Sequence, residues 1–283
     1  MTIRLIASDL DGTLLNTQQT ISDYTADVLC RAAQMGYYVV PSTGRSLYAL
    51  PPELDRFPHE YRLINSGAAV MEQTSGRYIY SAEISHDSLA KFFQMIDGYD
   101  VACNLACKDG SYMVRPQRDR FLEDLCTTHR RDAFWLDFYL NKVKTFDNFQ
   151  SWLSDSNPTV FKINLYFRDE KSRSEIPSMM KAFPDLFVCH SPGGDLEITD
   201  VHATKGLALI ALGKHLGLSP EQMIAFGDTD NDIDMLKTVG IGVAMANARP
   251  EALAVADRVT RSNDEDGVAW AIEQWVLNQP HEV

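Results

Sequence analysis

Short apolar runs alternate with helix-length segments at both ends of this chain, and that alternation restricts its fold more than any other feature. Arg4 to Ser8 reads as a strand, and Ser22 caps a helix in which Ala26, Leu29 and Ala33 recur at helical spacing until Gly36 ends it. Tyr37 to Ser42 follows as a second buried strand and Arg62 to Asn65 as a third. Toward the far end, Lys205 to His215 is an amphipathic helix stopped by Gly217, Ser219 and Pro220 open the next element, and Met223 to Phe226 is a short strand. Helix, strand and helix continue through Leu236, Val243, Ala254 and Val259. Strands joined by helices run parallel and are covered on both faces. An α/β, doubly wound parallel sheet is therefore expected, with Pro41 at the very end of its strand because it lacks a ladder donor.

The middle of the chain breaks this rhythm. In Val160 to Phe167, Phe161, Ile163, Leu165 and Phe167 share one face and Lys162, Asn164 and Tyr166 the other, the alternation of a half-exposed antiparallel sheet. The expected organisation is a core of residues 1–82 and 192–283 with a smaller α+β domain, 83–191, inserted into it. Hinges are expected near Ala82 and at Pro192-Gly193-Gly194.

Charge and cysteine usage exclude several classes. With 39 acidic against 26 basic residues the formal charge is -13, which disfavours nucleic acid and anionic membrane as partners. A phosphorylated ligand would also be repelled at long range, so any site holding one must overcome that field locally. Cys30, Cys103, Cys107, Cys126 and Cys189 are odd in number and scattered, which fits a reducing compartment better than a disulfide framework or a zinc site. The apolar run before Asp9 is too short for a signal peptide, and no later stretch suffices for a membrane span. A soluble cytoplasmic protein is expected, and the pattern selects no oligomeric state.

Candidate chemistry gathers where strands end. Asp9 and Asp11 stand two apart directly after the first strand, in Ser8-Asp9-Leu10-Asp11-Gly12-Thr13. Ligands of open parallel sheets bind beyond the carboxyl ends of the strands, and two close carboxylates invite a hard cation such as magnesium. Ser42-Thr43-Gly44-Arg45 follows the second strand, Lys205-Gly206 opens a helix, and Gly227-Asp228-Thr229-Asp230-Asn231-Asp232 follows the strand that ends at Phe226. Each alone fits a cap, a solvated lysine or an acidic turn. Together, in this order, they can converge on Asp9.

These motifs resemble the haloacid dehalogenase (HAD) superfamily, and within it the Cof-type phosphatases that carry a large α+β cap (class IIB) between the second and third motifs. The resemblance covers nearly the whole chain, including Gly242-Val243-Ala244-Met245-Ala246-Asn247-Ala248 and Ser262-Asn263-Asp264-Glu265-Asp266-Gly267-Val268. It implies Mg2+-dependent hydrolysis of phosphate monoesters of small metabolites, such as sugar phosphates or phosphorylated cofactors, through an aspartyl-phosphate. Asp9 would be the nucleophile and a metal ligand, and Asp11 the general acid and base. Asp228 would be a further ligand, with Asp232 beside it, and Asp11 would meet the metal by its side chain or its backbone carbonyl.

Phosphate would be held by the Thr43 hydroxyl, backbone N–H groups at Leu10 and Gly44, the Lys205 ammonium and the Asn231 amide. Arg45 is a candidate either for reaching substrate or for a structural ion pair, and the inserted domain is expected to set specificity. One departure stands out: Ser66, in Asn65-Ser66-Gly67-Ala68, replaces the asparagine usual in Asn-Gly-Ala. A sugar phosphomutase shares the nucleophile and acid/base residue and is the alternative enzyme. A non-catalytic binding protein on the same fold would be expected to have lost at least one of these side chains.

Overall fold

The structure is a computed structural model that describes residues 2–127, 133–190 and 194–278. The chain divides into two compact units, one of Met1–Arg45, Leu50–Ser81 and Thr204–Val283, the other of Ser46–Ala49 and Ala82–Ala203. In chain order the first unit opens with β1 (Leu5–Ser8), α1 (Asp23–Gln34), β2 (Tyr38–Pro41), β3 (Tyr61–Ile64), β4 (Ala69–Glu72) and β5 (Tyr78–Ser81). The second unit holds α2 (His86–Met95), β6 (Val101–Cys107), β7 (Gly110–Val114), α3 (Arg115–Thr127), α4 (Ala133–Asp137), β8 (Val143–Phe146), α5 (Phe149–Ser156), β9 (Val160–Phe167), α6 (Glu170–Met179), β10 (Leu186–His190) and β11 (Leu196–Asp200). The first unit then closes with α7 (Lys205–Leu216), β12 (Met223–Gly227), α8 (Ile233–Thr238), β13 (Ile241–Ala244), α9 (Pro250–Leu253), β14 (Arg258–Val259) and α10 (Gly267–Ile272).

In the first unit the strand order is β14-β13-β12-β1-β2, all parallel. Alternation along β1 sends Ile6 to one face, against Val28 and Leu29 of α1 and Ala269 and Ile272 of α10. Leu5 and Ala7 go to the other, against Ala208, Leu209 and Leu212 of α7 and Met235 of α8. Both faces are thus covered, as the apolar runs require. The Ser22 hydroxyl accepts the Thr25 N–H at the start of α1, and Gly217 closes α7 at φ +71, a left-handed position suited to glycine.

Pro41 ends β2. Tyr38 and Ser42 donate their N–H groups to Arg4 and Ser8 of the β1 side, so the alternation turns the Pro41 nitrogen to the opposite edge, where no β1 acceptor waits.

Beyond β2 the pattern departs from expectation. The third strand joins β2 through a single parallel bridge, Ser42 with Leu63, and otherwise pairs antiparallel with β4. The reversal is made by Asn65, Ser66 and Gly67, all at positive φ. A chain that turns back this sharply has no crossover and cannot extend a parallel ladder.

The second unit is built on a six-stranded sheet in the order β10-β11-β9-β6-β7-β8, antiparallel except for β7 with β8. β11 is an inner strand of this sheet, so the unit returns to the first at Ala203, not at 191, and the expected hinge at Pro192 and Gly193 lies outside the described residues. One face carries a core of Leu89, Phe92, Ile163, Leu165, Phe149 and Ile176. The other is covered rather than half exposed: Ala102 and Met113 pack there with Phe121, Phe138, Tyr139 and Ala49. Lys162 is 4% exposed on β9 and pairs with Glu197 at 3.0 Å.

The strict alternation from Phe161 also fails. The register between β6 and β9 slips at Ala106/Cys107, so Val160, not Phe161, joins Ile163 and Leu165 in the core. Cys103 and Cys107 are free thiols buried along β6, and burial pushes both well above the ordinary thiol range, where they are unreactive. Among the described residues no helix is long and apolar enough to cross a membrane.

Candidate active site

Register in the parallel sheet brings the strand-end motifs to one edge. Ser8 is level with Phe226 on one side and Pro41 on the other, so Asp9, Asp228 and the Ser42-Thr43 pair all emerge just beyond the same ends. Helix α7 contributes its first residue, Lys205, whose start is set by the Thr204 hydroxyl accepting the Leu207 N–H.

The side chains then meet. The Lys205 ammonium is fully buried and donates to Asp9 Oδ1 and to Asp232 Oδ1, each at 2.6 Å. Carboxylate oxygens of Asp9, Asp228 and Asp232 lie within 4.8 Å of one another. The second oxygen of Asp232 accepts the N–H groups of Asp228 and Thr229, both at 3.0 Å, so this carboxylate is engaged on both sides. Asp228 Oδ1 accepts the Thr13 hydroxyl at 2.8 Å. No described residue donates to Asp9 Oδ2.

Such crowding shifts the titration of Asp9, Asp228 and Lys205. Burial raises Asp9 well above the ordinary carboxylate value, Lys205 works against that rise, and Asp232, Asp228 and Asp11 reinforce it. Asp228 is pushed up to about 6, first by burial, against the pull of the Thr13 hydrogen bond and with help from Asp232. For Lys205, burial acts to lower the ammonium's pKa, but Asp232 and Asp9 outweigh it and hold the group above its usual value.

Three carboxylates against one ammonium leave two buried negative charges uncompensated, in a hard-oxygen donor set. That is the electrostatic signature of a place for a divalent cation, and Asp9 and Asp228, the two without a full set of donors, fit as its ligands.

Asp11 is placed differently. Its carboxylate turns away from this cluster to Arg45, with Nε 2.9 Å from Oδ2 and Nη2 2.6 Å from Oδ1. Of the four aspartates expected around a metal, three are therefore gathered by their side chains and Asp11 is not. Arg45 makes the ion-pair alternative the observed one, and its Nη2 also donates to Gln19 Oε1 at 2.7 Å.

Thr43 is buried, its hydroxyl accepts the Arg45 N–H, and its own N–H is committed to Leu63 O, which removes it from any phosphate cradle. The Leu10 side chain is fully buried in the core as expected. Asn231 Oδ1 accepts the Thr229 hydroxyl at 2.8 Å, which orients the amide and leaves its NH2 end as a donor.

Several residues shape this edge without having been singled out. Gly12 sits at φ +82, and a Cβ there would lie 2.5 Å from Asp228 Oδ2. Asn247 Nδ2 donates to Gly12 O at 2.8 Å and its Oδ1 accepts the Asn263 N–H, while Asn263 Nδ2 reaches Leu15 O. These contacts bind the loop after β1 to the closing segment of the chain. Gly67 packs on the start of α7, where a Cβ would lie 2.3 Å from the Thr204 carbonyl carbon. The tail motifs were visible as a pattern, but their use as amide tethers for the Asp9 loop depends on a contact some 235 residues away in sequence.

Fold and site together define a class: an open α/β sheet with a lysine-linked carboxylate cluster at its carboxyl edge and a second α+β unit inserted. Comparison with known proteins places the chain more closely. It belongs to the haloacid dehalogenase-like hydrolases, whose family model matches residues 6–272. Over 275 residues it is 30% identical to the 5-amino-6-(5-phospho-D-ribitylamino)uracil phosphatase YcsE of Bacillus subtilis (strain 168), covering 97% of this chain and 96% of that protein. Among solved structures, a haloacid dehalogenase-like hydrolase from B. subtilis superposes with a TM-score of 0.81 at 25% identity, covering 97% of this chain and 100% of the other. The HAD subclass IIB sugar phosphatase BT4131 superposes with a TM-score of 0.75 at 24% identity, covering 96% and 98%. This protein is a phosphatase of the HAD superfamily.

Proposed function

We propose that the protein hydrolyses phosphate monoesters of small, hydroxyl-rich metabolites with Mg2+ as cofactor, through an aspartyl-phosphate on Asp9. The observation that carries this reading is Asp9 itself, a buried carboxylate fixed through Oδ1 by Lys205, with Oδ2 left without a donor among the described residues. A carboxylate held by one oxygen presents the other as a nucleophile. A divalent cation held by Asp9 and Asp228 would offset the repulsion between that carboxylate and an anionic phosphate.

The chain's own groups divide the remaining work. Asp9 Oδ2 bonds to phosphorus as the ester P–O bond breaks, and Asp11 gives its proton to the departing oxygen. Water then attacks the phosphoenzyme, returns a proton to Asp11 and releases inorganic phosphate with Asp9 regenerated. Lys205 holds Asp9 throughout, the Thr43 hydroxyl and the Asn231 amide offer donors to phosphate oxygens, and Asp232 acts as the fixed support of Lys205 and of the Asp228 backbone. The relatives named for a ribitylamino-uracil phosphate and for sugar phosphates support a polyol or sugar phosphate as substrate. The free thiols of Cys30, Cys103 and Cys107 suit a cytoplasmic setting.

A panel of phosphorylated sugars, polyols and cofactors, assayed for phosphate release with Mg2+ and again in excess chelator, tests this directly. Turnover should require the metal, acid-quenched enzyme should carry phosphate on the peptide containing Asp9, and Asp9→Asn should fold and be inactive. Full turnover in chelator, or by Asp9→Asn, refutes the reading.

A further inference from the structure

We propose that Arg45 is the positioning residue of Asp11: a two-point guanidinium clamp that sets the orientation of the acid/base carboxylate. The proposal rests on the assignment of Asp11 made above. Both guanidinium contacts are short, and they engage the two oxygens of Asp11 separately, through Nε and Nη2. A planar fork on a planar carboxylate fixes its rotation as well as its distance, which a single-point donor such as lysine cannot do.

The two partners are unequal. The Arg45 side chain is 7% exposed and that of Asp11 46%. Arg45 is also anchored through its backbone, its N–H to Thr43 Oγ1 at 3.0 Å and its carbonyl accepting the Asn65 N–H at 2.9 Å. Gln19 accepts from Nη2 and holds the head of the side chain from a third direction. That glutamine stands at φ +60, a left-handed conformation unusual for a residue other than glycine, in the loop that leads from Asp11 to α1.

An exposed ion pair contributes little to stability when both side chains are mobile. Here one partner is buried and anchored while the other is half exposed and held only by its fork, so the gain is orientation. Proton transfer depends steeply on that quantity, since a displacement of about 1 Å at a reacting group can cost on the order of 10²-fold in rate. With its fork already engaged by Asp11, Arg45 reaches the reaction through that carboxylate and not through the substrate.

The test compares full-length wild type, Asp11→Asn, Arg45→Ala, Arg45→Lys and the double variant Arg45→Ala/Asp11→Asn with Mg2+ on two aryl esters, phenyl phosphate and p-nitrophenyl phosphate. Phenolate is the stronger base and depends more on a proton from Asp11. In stopped flow, where the first release of the phenol reports transfer to Asp9 apart from the later hydrolysis common to both esters, Arg45→Ala should lose about 10- to 100-fold on phenyl phosphate and much less on p-nitrophenyl phosphate, with KM within about twofold on both. Arg45→Lys should recover little, added guanidinium ion should restore part of the Arg45→Ala loss, and the double variant should be no slower than Asp11→Asn. Gln19→Ala, which keeps Arg45, should show a smaller loss with the same preference for phenyl phosphate, so the proposal stays testable if Arg45→Ala folds poorly.

A rise in KM of equal size on both esters would make Arg45 a substrate contact and overturn the proposal. Multiplicative loss in the double variant, or equal slowing of the first release from both esters by Arg45→Ala, would overturn it too. Should Asp11→Asn itself slow the first release from both esters equally, the acid/base assignment fails first and the clamp falls with it. Should only Asp11→Asn discriminate between the esters, that assignment stands and the clamp alone is refuted.

Discussion

Replacing Lys205 by methionine takes a charge out of the one place where the carboxylates of this site are tied together. The ammonium is fully buried and lies 2.6 Å from an oxygen of Asp9 and 2.6 Å from an oxygen of Asp232. At an effective dielectric near 20 each contact is a gross attraction of roughly 6 kcal/mol. Desolvation of the three groups cancels most of this, and breaking a buried pair from one side leaves a net cost of roughly 3–5 kcal/mol. Methionine fills a similar volume, so little cavity cost adds to it. For a unit of this size the loss corresponds to a fall in melting temperature on the order of 6–20 °C.

Its pH dependence separates a charge effect from a packing effect. In the wild type the Lys205 pKa is raised above 10.5, so its stabilisation is complete below that value and persists through neutrality. In the variant, Asp9 loses the one partner that opposes its upward shift. A carboxylate raised above its unfolded value of 3.8 stabilises the fold in acid and loses that contribution as pH rises through the folded pKa. The deficit of Lys205→Met should therefore be large near pH 8 and shrink toward pH 5, both approximate settings bracketing the carboxylate shifts. Thermal unfolding in chelator, followed by tryptophan fluorescence, measures it, and added Mg2+ should recover part of the loss. A variant melting within about 2 °C of wild type near pH 8, or a deficit independent of pH, would refute the charge balance drawn here.

Burial pushes Asp228 up to about 6 and holds Asp9 high as well, so Mg2+ must displace protons from its ligands in acid, and magnesium affinity measured by calorimetry should fall by at least about tenfold per pH unit beneath 6. Gly67→Ala forces a Cβ into the Thr204 backbone at φ +93, and unfolding should show a cost of roughly 2–4 kcal/mol with Lys205 misplaced and activity lost. Asn247→Ala removes the tethers to Gly12 and Asn263 at a stability cost of about 1 kcal/mol, while kcat should fall by more than that figure explains, because the Asp9 loop is released. An Asn247→Ala enzyme with wild-type kcat would show that the loop holds its own shape.

How much of this was legible depended on whether a signal was local. Ser22, Gly217 and Pro41 mark their elements because caps, left-handed closures and missing donors act within a few residues. Convergence of Asp9, Asp228 and Lys205 was also legible, since parallel strands that end together must present their following residues on one edge. What failed was partner choice. Periodicity shows which way a side chain points along its own strand, not which strand lies beside it. β11 was therefore assigned to the wrong sheet, and β3 to a parallel ladder that it only touches. A bulge at Phe161 leaves no mark in composition either, since phenylalanine suits both faces. Arg45 had many carboxylates to choose from, and only the fold selects Asp11.

That selection explains how four aspartates can share one edge and differ in chemistry. Asp232 has an ammonium on one oxygen and two backbone N–H groups on the other, so it is fully compensated and suited to support. Asp11 has a guanidinium across both oxygens and stands half exposed, open to solvent. Asp228 has one hydroxyl and Asp9 one ammonium, so these two keep the least compensated charge. A cation entering the cluster gains most where compensation is least, which directs it to Asp9 and Asp228 and away from the other two. Identical side chains acquire separate roles from the donors that reach them. The same reasoning expects Asp232→Asn to differ in kind from Asp228→Asn. An amide at 232 cannot both accept two backbone N–H groups and offer a charged oxygen to Lys205, so Asp232→Asn should lower stability by roughly 2–4 kcal/mol with magnesium affinity reduced only modestly. Asp228→Asn should lower magnesium affinity sharply, yet leave the metal-free protein as stable or more so, because it removes a buried charge that the fold already holds near 6. Unfolding in chelator set beside a magnesium titration separates the two, and equal losses of affinity in both variants would show that compensation does not decide where the cation sits.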